Sequence, residues 1–162
     1  MRLTHRPVAE QDLAAICAFT QSAAELFYCF PKADFPLTPE QLQAAIDQRS
    51  DSTVVLLEGA VVAFANFYRW ETGGVCAIGN VMVAPAARGR GVARYLIEQM
   101  LDTAFTRHQA CEVQVSCFNP NVAGLLLYPQ LGFLPCSVEE RAGKGGERLA
   151  LIHFRLASPA CR

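Results

Sequence analysis

Charged residues are scarce in this sequence, and neither sign of charge dominates. Asp, Glu, Lys and Arg make up 18% of the 162 residues, and the formal net charge is -1. Domains that bind nucleic acid carry a basic face or stripe, so this composition argues against a nucleic-acid partner. Hydrophobic residues reach 52%, which excludes a disordered chain. We therefore expect residues 1–162 to form one domain around a sizeable core.

The sequence also lacks any long apolar run. No stretch approaches the roughly 18 residues that a membrane helix needs, and residues 1–6 lead into polar sequence rather than into the apolar part of a signal peptide. The seven cysteines are odd in number and include no C-x-x-C pair. Free thiols in a reducing compartment are expected, and a zinc site is not. We predict a cytoplasmic protein with no membrane partner and no metal.

Hydrophobic periodicity predicts four helices and seven strands. Helical spacing runs over residues 10–27, over a short segment that begins at Pro39, over 91–107 and over 121–131. Strands are expected over residues 1–6, 53–57, 60–70, 75–83, 111–118, 133–141 and 147–156. The strand–helix–strand order in mid-chain implies one parallel pair within a mostly antiparallel sheet. The predicted fold class is α/β (α+β).

One predicted turn, which joins a buried strand to a helix, concentrates glycine and arginine. It reads Arg88-Gly89-Arg90-Gly91-Val92-Ala93 and is followed by Arg94. Glycines let backbone N–H groups converge on an anion, and the helix adds its dipole and its unpaired N–H groups. A Rossmann loop would need a third glycine, and a Walker loop would need Gly-Lys-Ser/Thr. The turn predicts a diphosphate site; a structural turn with solvated arginines is the alternative.

Two motifs resemble the GNAT superfamily of acyl-CoA-dependent N-acyltransferases. Residues 81–93 are similar to the family turn Q/R-x-x-G-x-G/A that follows a strand, with Arg88, Gly91 and Ala93 at its positions. Residues 121–133 are similar to the family segment N-x-x-A/G-x-x-L-Y-x-x-L-G-F. The two motifs occur in the family order, and the order of elements agrees along nearly the whole chain. The resemblance implies the GNAT fold, in which two central strands splay apart.

The resemblance implies acetyl-CoA as the donor and assigns residues to it. Asn121 would contact the pantetheine region, or act only as a helix N-cap. Tyr128 would be the general acid that protonates the departing thiolate; a buried core tyrosine is the alternative. Main-chain groups of Val81, Met82 and Val83 would bind the pantetheine arm. The turn would bind the pyrophosphate through Arg88, Gly89, Arg90, Gly91, Val92 and Ala93, and Arg94 would extend toward the phosphates.

The strand before the turn has no carboxylate, although many family members carry their general base there. Asn80 could orient a water but cannot itself be the base, and Glu25, Glu71 or bulk solvent could serve instead. Two functions stay open. One is an N-acetyltransferase acting on a primary amine of a small molecule or peptide. The other is a non-catalytic CoA-binding domain, and a nucleotide-binding module is a weaker third reading.

The family builds its acceptor pocket from the first helices, their loop and the hairpin strands. Here those segments carry Glu25, Phe30, Tyr68 and Trp70, which we predict to contact the acceptor. Tyr68 and Trp70 would offer ring faces to a flat or cationic amine, and Glu25 would pair with its ammonium group. Core packing is the alternative for the rings, and a solvated helix face is the alternative for Glu25. The resemblance also implies that the chain can form a homodimer.

Overall fold

Seven strands form one sheet in the order β1-β2-β3-β4-β5-β7-β6. The computed structural model describes residues 1–161, and all neighbouring strands are antiparallel except β4 and β5. The predicted seven-stranded, mostly antiparallel sheet is confirmed. The strands are β1 (Leu3–Pro7), β2 (Ser50–Leu57), β3 (Ala60–Trp70), β4 (Val75–Val83), β5 (Glu112–Phe118), β6 (Leu134–Ala142) and β7 (Arg148–Ala157).

Within residues 1–161, five α-helices accompany the sheet, so the predicted count of four was wrong. The predicted helix over 10–27 is interrupted, because Ser22 is extended and its hydroxyl accepts a hydrogen bond from the Glu25 N–H, which starts a new helix. The apolar spacing continues across the break because Ile16, Phe19 and Leu26 all enter one core. The helices are α1 (Leu13–Cys17), α2 (Ala23–Cys29), α3 (Pro39–Gln48), α4 (Val92–Asp102) and α5 (Val122–Gln130).

Helices cover both faces of the sheet. Helices α1 to α3 pack on the face that carries Val54, Phe64 and Met82, and α4 and α5 pack on the opposite face, which carries Ala65 and Phe67. Strand β3 is buried continuously over residues 62–67 because both of its faces are covered. None of the helices within residues 1–161 has the length and hydropathy needed to cross a membrane.

The two central strands separate halfway along their length. β4 and β5 pair only from Val75↔Glu112 to Ile78↔Val115. A β-bulge in β4 lies between the pairs Phe64↔Met82 and Asn66↔Gly79, and a bulge bends its strand. No pairing joins residues 79–83 of β4 to residues 116–118 of β5. This separation confirms the expected splay. The space between these two unpaired edges is called the gap below.

Asp12 is a buried carboxylate that ties β1 to the start of α1. Its side chain is 3% exposed. Its oxygens accept hydrogen bonds from Arg6 Nη1 at 2.7 Å and Nη2 at 2.9 Å, and from the Ala9 N–H at 2.8 Å. The hydrogen bonds from Arg6 outweigh the cost of burial and hold the pKa of Asp12 below its ordinary value. Ionised Asp12 therefore stabilises the fold.

We expect Asp12→Asn to lower the free energy of unfolding by about 1.5–3 kcal/mol at pH 7, the range for hydrogen bonds to a charged group. Because folding depresses the pKa of Asp12, its contribution is present above the unfolded pKa of roughly 4 and is lost as the pH falls through the folded value. Urea unfolding of both proteins from pH 7 down to pH 3 measures the difference. A deficit that does not shrink on acidification would contradict this account.

Candidate active site

The glycine–arginine turn leaves the N-terminus of α4 open. Gly89 and Gly91 have φ angles of +73° and +79°, which a residue with a side chain adopts only at a cost of roughly 1–2 kcal/mol. A Cβ on either glycine would meet no atom within 4 Å, so the space beside the turn is free. Gly91 is the N-cap but has no side chain to cap the helix. The first N–H groups of α4, from Val92, Ala93 and Arg94, are therefore placed to bind an anion.

The Arg88 side chain turns away from the glycines toward the loop between α1 and α2. Its Nε donates to the Val83 carbonyl at 3.2 Å, and its Nη2 donates to the Phe19 carbonyl at 3.2 Å. It also forms an ion pair with Glu25 at 3.2 Å. Arg88 therefore joins the end of β4 to the helical layer, and only its main chain belongs to the turn that faces the gap.

The other two arginines of the turn are exposed. Arg94 donates to Gln130 Oε1 of α5 at 3.0 Å and lies 3.9 Å from Glu98. Arg90 lies between the two glycines, and no partner for its side chain is found within residues 1–161. Of the three arginines, Arg90 is therefore the one whose charge is uncommitted.

Glu25 is committed to the fold rather than free for a substrate. Hydrogen bonds from Arg88, and next from the Gln21 N–H, lower the pKa of Glu25. A carboxylate with a depressed pKa is a weak proton acceptor, and its ion pair competes with an incoming ammonium group. The pairing argues against Glu25 as a base or as an acceptor contact, and both roles stay predictions.

Tyr128 presents a hydroxyl without a protein partner. Tyr128 is 4% exposed, and its ring packs on Phe133 and Phe154 with centroids 5.8 Å apart in each case. Buried tyrosine hydroxyls usually find a hydrogen-bond partner, yet none is found for this one within residues 1–161. Burial, and to a smaller extent Cys117, raises the pKa of Tyr128 above its ordinary value. The hydroxyl is therefore protonated and able to donate.

Close packing of α5 on β5 brings Tyr128 to the splay. Asn121 Oδ1 accepts a hydrogen bond from the Gly124 N–H at 3.1 Å and so caps α5. A Cβ on Gly124 would lie 2.8 Å from Cys117 Sγ and 3.2 Å from Tyr128 Cε2, so only glycine permits this approach. Cys117 belongs to the unpaired end of β5, and Tyr128 lies beside it.

Asn80 fixes the bulge from inside. It is 4% exposed and has a φ angle of +50°. Its Nδ2 donates to the Cys29 carbonyl at 3.0 Å, and its Oδ1 accepts from Asn66 Nδ2 at 3.0 Å. Both ends of the amide are therefore used within the protein. These bonds assign Asn80 a structural task, and its part in orienting a water stays a prediction.

The predicted aromatic contacts divide between the surface and the core. Tyr68 is 46% exposed and Trp70 is 41% exposed, and both lie near the outer end of β3. Phe30 is 7% exposed and packs in the core between α1–α3 and the sheet. Of the three rings, Phe30 is therefore committed to packing, because the chain turns inward at the end of α2.

Two groups of polar side chains near the splay have no counterpart in the sequence-based prediction. Arg49 lies over the Tyr68 ring, with its guanidinium carbon 5.4 Å from the ring centroid. Ser116 Oγ lies 2.6 Å from His153 Nδ1, and His153 Nε2 lies 2.8 Å from Glu139 Oε1. The one local signal for these groups was Gly79, because a glycine inside a strand often marks the close approach of another group. Here Arg49 and Tyr68 approach it. Within residues 1–161, no cluster of His, Cys, Asp and Glu is placed to hold a metal.

Comparison with known proteins identifies the family of this chain. The Acetyltransferase (GNAT) family matches residues 16–133, which is more than half of the chain and includes α2, the bulge, the turn and Tyr128. The chain belongs to this family of acetyltransferases. No curated protein matches the sequence significantly.

Solved acetyltransferases share the fold. Spermidine N-acetyltransferase from Vibrio cholerae, in complex with CoA and spermine, is 18% identical with a TM-score of 0.81, over 96% of this chain and 95% of that one. YncA from Salmonella typhimurium, assigned as an acetyltransferase and solved with acetyl-CoA, is 24% identical with a TM-score of 0.77, over 96% and 93%. Ribosomal-protein-alanine N-acetyltransferase from Brucella melitensis is 23% identical with a TM-score of 0.78, over 96% and 99%. At these identities the likeness establishes the fold alone.

We expect Asn80→Ala to destabilise the protein more than Asn80→Gly. Both substitutions remove the two hydrogen bonds of the amide, which costs about 1–3 kcal/mol, but only alanine keeps a Cβ at a φ angle of +50°, which adds roughly 1 kcal/mol. Urea unfolding of the three proteins gives the order of stability. A glycine variant that is no more stable than the alanine variant would show that the bulge does not require this backbone conformation.

Proposed function

We propose that the protein is an N-acetyltransferase that uses acetyl-CoA to acetylate a primary amine of a small molecule or peptide. The observation that carries the proposal is the convergence of three features on the splay between β4 and β5. These are the open N-terminus of α4, the unpaired edge of β4 and the unpartnered hydroxyl of Tyr128. All seven strands contribute to one sheet, which supports a single domain.

The described residues fit acetyl-CoA as the donor. The conformations of Gly89 and Gly91 leave space and N–H groups for the pyrophosphate, and Arg90 supplies uncommitted charge beside it. Main-chain groups of Val81, Met82 and Val83 lie along the unpaired edge of β4; an extended pantetheine arm can add to such an edge as a strand does. The donor supplies an acetyl group activated as a thioester.

Tyr128 is suited to protonate the thiolate that leaves. Its hydroxyl is neutral at physiological pH because burial raises its pKa. The same surroundings raise the pKa of the Cys117 thiol to about 11, well above the roughly 8.5 of a free thiol. A thiolate formed next to Tyr128 would be destabilised by the same burial. Burial thus opposes the charged thiolate as well as the charged phenolate, so the raised pKa of Tyr128 does not by itself prevent the transfer.

A non-catalytic CoA-binding domain is the second candidate. The observation that favours it is the absence of a carboxylate from β4, where residues 75–83 offer only apolar side chains, glycine and Asn80. The two candidates differ in turnover. A domain that binds CoA in calorimetry and releases no free CoA thiol with any amine of a broad panel would support the binding domain and contradict the transferase.

We expect Tyr128→Phe to lower kcat by about 10²–10³-fold, the lower part of the range for loss of a general acid, with little change in KM for acetyl-CoA. The physical reason is that phenylalanine fills the same pocket but cannot protonate the thiolate. Release of free CoA thiol with an accepted amine measures the rate.

Tyr95→Phe is the matched control. Tyr95 lies on α4, away from the splay, and its hydroxyl contacts His5 Nδ1 at 2.9 Å. Loss of this hydroxyl should therefore leave kcat unchanged. Calorimetry should show that both variants still bind CoA. An unchanged kcat for Tyr128→Phe would remove Tyr128 from the role of acid.

A further inference from the structure

Arg49 is a half-buried cation without an anionic partner. It follows α3, and its Nη1 donates one hydrogen bond, to Asn66 Oδ1 at 3.1 Å. Within the described residues 1–161 no carboxylate forms an ion pair with it, whereas Arg6, which is also half-buried, is paired with Asp12. Burial lowers the pKa of Arg49. Because a charge held away from water without a partner is costly, this position favours binding of an anion.

The fold holds this guanidinium at the rim of the gap. A Cβ on Gly79 would lie 2.6 Å from Arg49 Nη1 and 2.8 Å from Tyr68 Cδ1, so the absence of a side chain at Gly79 makes room for both groups. Gly79 is the first residue of β4 beyond its last pair with β5, Ile78↔Val115. The cation therefore lies over the point where the two central strands part.

Three carboxylates that could attract a cationic acceptor are paired with cations of the protein. Glu25 is paired with Arg88, and Glu71 is paired with Arg69. Asp34, in the loop before α3, is paired with Lys144. One face of the Tyr68 ring is covered by Arg49. Within the described residues, Arg49 is thus a positive charge at the rim of the gap that has no ionic partner.

We propose that Arg49 binds a carboxylate of the acceptor, and that the acceptor is a small amine whose carboxylate lies close to its amino group, as in an α-amino acid. This inference rests on the proposed acetyltransferase function. A guanidinium can hold a carboxylate through two N–H groups, and from its place over Gly79 the amino group would be directed into the gap. The exposed Trp70 ring offers an apolar surface to the rest of the acceptor.

The test compares acceptors that differ only in the carboxylate. Acetyl transfer is measured for a series of α-amino acids, each matched with its carboxamide and with the amine that lacks the carboxyl group. For at least one series we expect kcat/KM of the amino acid to exceed that of both analogues by about tenfold or more. Arg49→Met should abolish this preference by raising KM for the amino acid alone, and Arg49→Lys should retain part of it.

Arg2→Met, which removes an exposed arginine ahead of β1, is the control and should keep the full preference. Acetylation that is equally efficient with and without the carboxylate would overturn the role of Arg49 and leave the transferase function standing. Acetylation of no amine at all, with CoA still bound, would overturn the function and this inference together. If Arg49→Met does not fold, the comparison of matched acceptors with the wild-type protein still decides the matter.

A second, independent observation concerns the chain Ser116–His153–Glu139. Ser116 of β5 and His153 of β7 are direct partners in the sheet. Hydrogen bonds from Arg141 and His153 lower the pKa of Glu139, so its carboxylate is ionised and accepts the proton of His153 Nε2. His153 Nδ1 then carries the lone pair and accepts from the Ser116 hydroxyl; this tautomer is assigned from the partners. The arrangement can draw a proton away from Ser116.

Ser116 and Tyr128 lie on opposite faces of the sheet beside the gap. Ser116 is the first residue of β5 beyond the pair Ile78↔Val115, and the next residue, Cys117, packs in the core on the Tyr128 side. Successive strand residues point to opposite faces. Ser116 therefore lies on the face of Tyr68 and α2, opposite the proposed acid, with the gap between them.

We infer that Ser116 accepts the proton lost by the amine and passes its own proton to His153. The amine nitrogen loses one proton as its bond to the acetyl carbon forms, and that proton goes to Ser116 while the serine proton moves to His153 Nδ1. The C–S bond breaks, and the thiolate takes one proton from Tyr128. His153 and Tyr128 return to their starting states by exchange with solvent. Ser116 would be a catalytic residue, and His153 and Glu139 positioning residues.

The test is the pH profile of kcat. The charged groups near His153 are Glu139 and, beyond it, Arg141 on β6, and Arg155 farther along the same face of β7. We expect His153→Gln and Ser116→Ala to lower kcat by about tenfold or more near pH 7. The deficit should shrink as the pH rises, because hydroxide and free amine then replace the relay. Glu139→Gln should act in the same direction.

His5→Gln, on β1, is the control and should leave the profile unchanged. A deficit that is the same at every pH would assign these residues a structural role and overturn the inference. Mass spectrometry of the protein mixed with acetyl-CoA alone provides a second readout, in which an acetyl group on Ser116 would identify the serine as a nucleophile and overturn its role in proton transfer.

Discussion

The structure depends on the separation of β4 from β5 at Ile78. The bulge that bends β4 is held by Asn80, whose buried amide bonds to Asn66 and to the carbonyl of Cys29. If β4 remained straight, its edge would continue to pair with β5, and the main-chain groups that face the gap would be consumed. One strained residue with satisfied hydrogen bonds thus creates the open edge, and the turn and helix α4 follow directly from the end of the same strand.

Electrostatics give the two sides of the gap different characters. At the turn, the open N-terminus of α4 and Arg90 favour an anion with several charges. At the rim of the gap, the carboxylates of Glu25, Glu71 and Asp34 are each paired with an arginine or a lysine. Arg49 forms no ion pair within residues 1–161. The ion pair with Arg88 therefore argues against the expectation that Glu25 of α2 attracts an amine. An acceptor that carries its own anion fits this distribution.

Alternation along β5 separates the proposed acid from the proposed base. Cys117 faces α5 and lies beside Tyr128, whereas Ser116 faces α2 and contacts His153. Consecutive residues of one strand thus place two proton-transfer groups on opposite sides of the gap. In the proposed mechanism, the amine approaches from one face of the sheet, and the thiolate is protonated from the other face.

Local sequence determined the strands, the turn at Gly89 and Gly91, and the start of α5, because backbone conformation and capping depend on neighbours along the chain. The break in the first helix at Ser22 escaped prediction because the apolar residues on its two sides enter the same core. The site residues that sequence could not reveal are those joined by strand order and long loops. Arg49 reaches Tyr68 across the β2–β3 hairpin, and His153 meets Ser116 only because β7 inserts between β5 and β6. Such contacts depend on the pairing of distant segments, which no local pattern encodes.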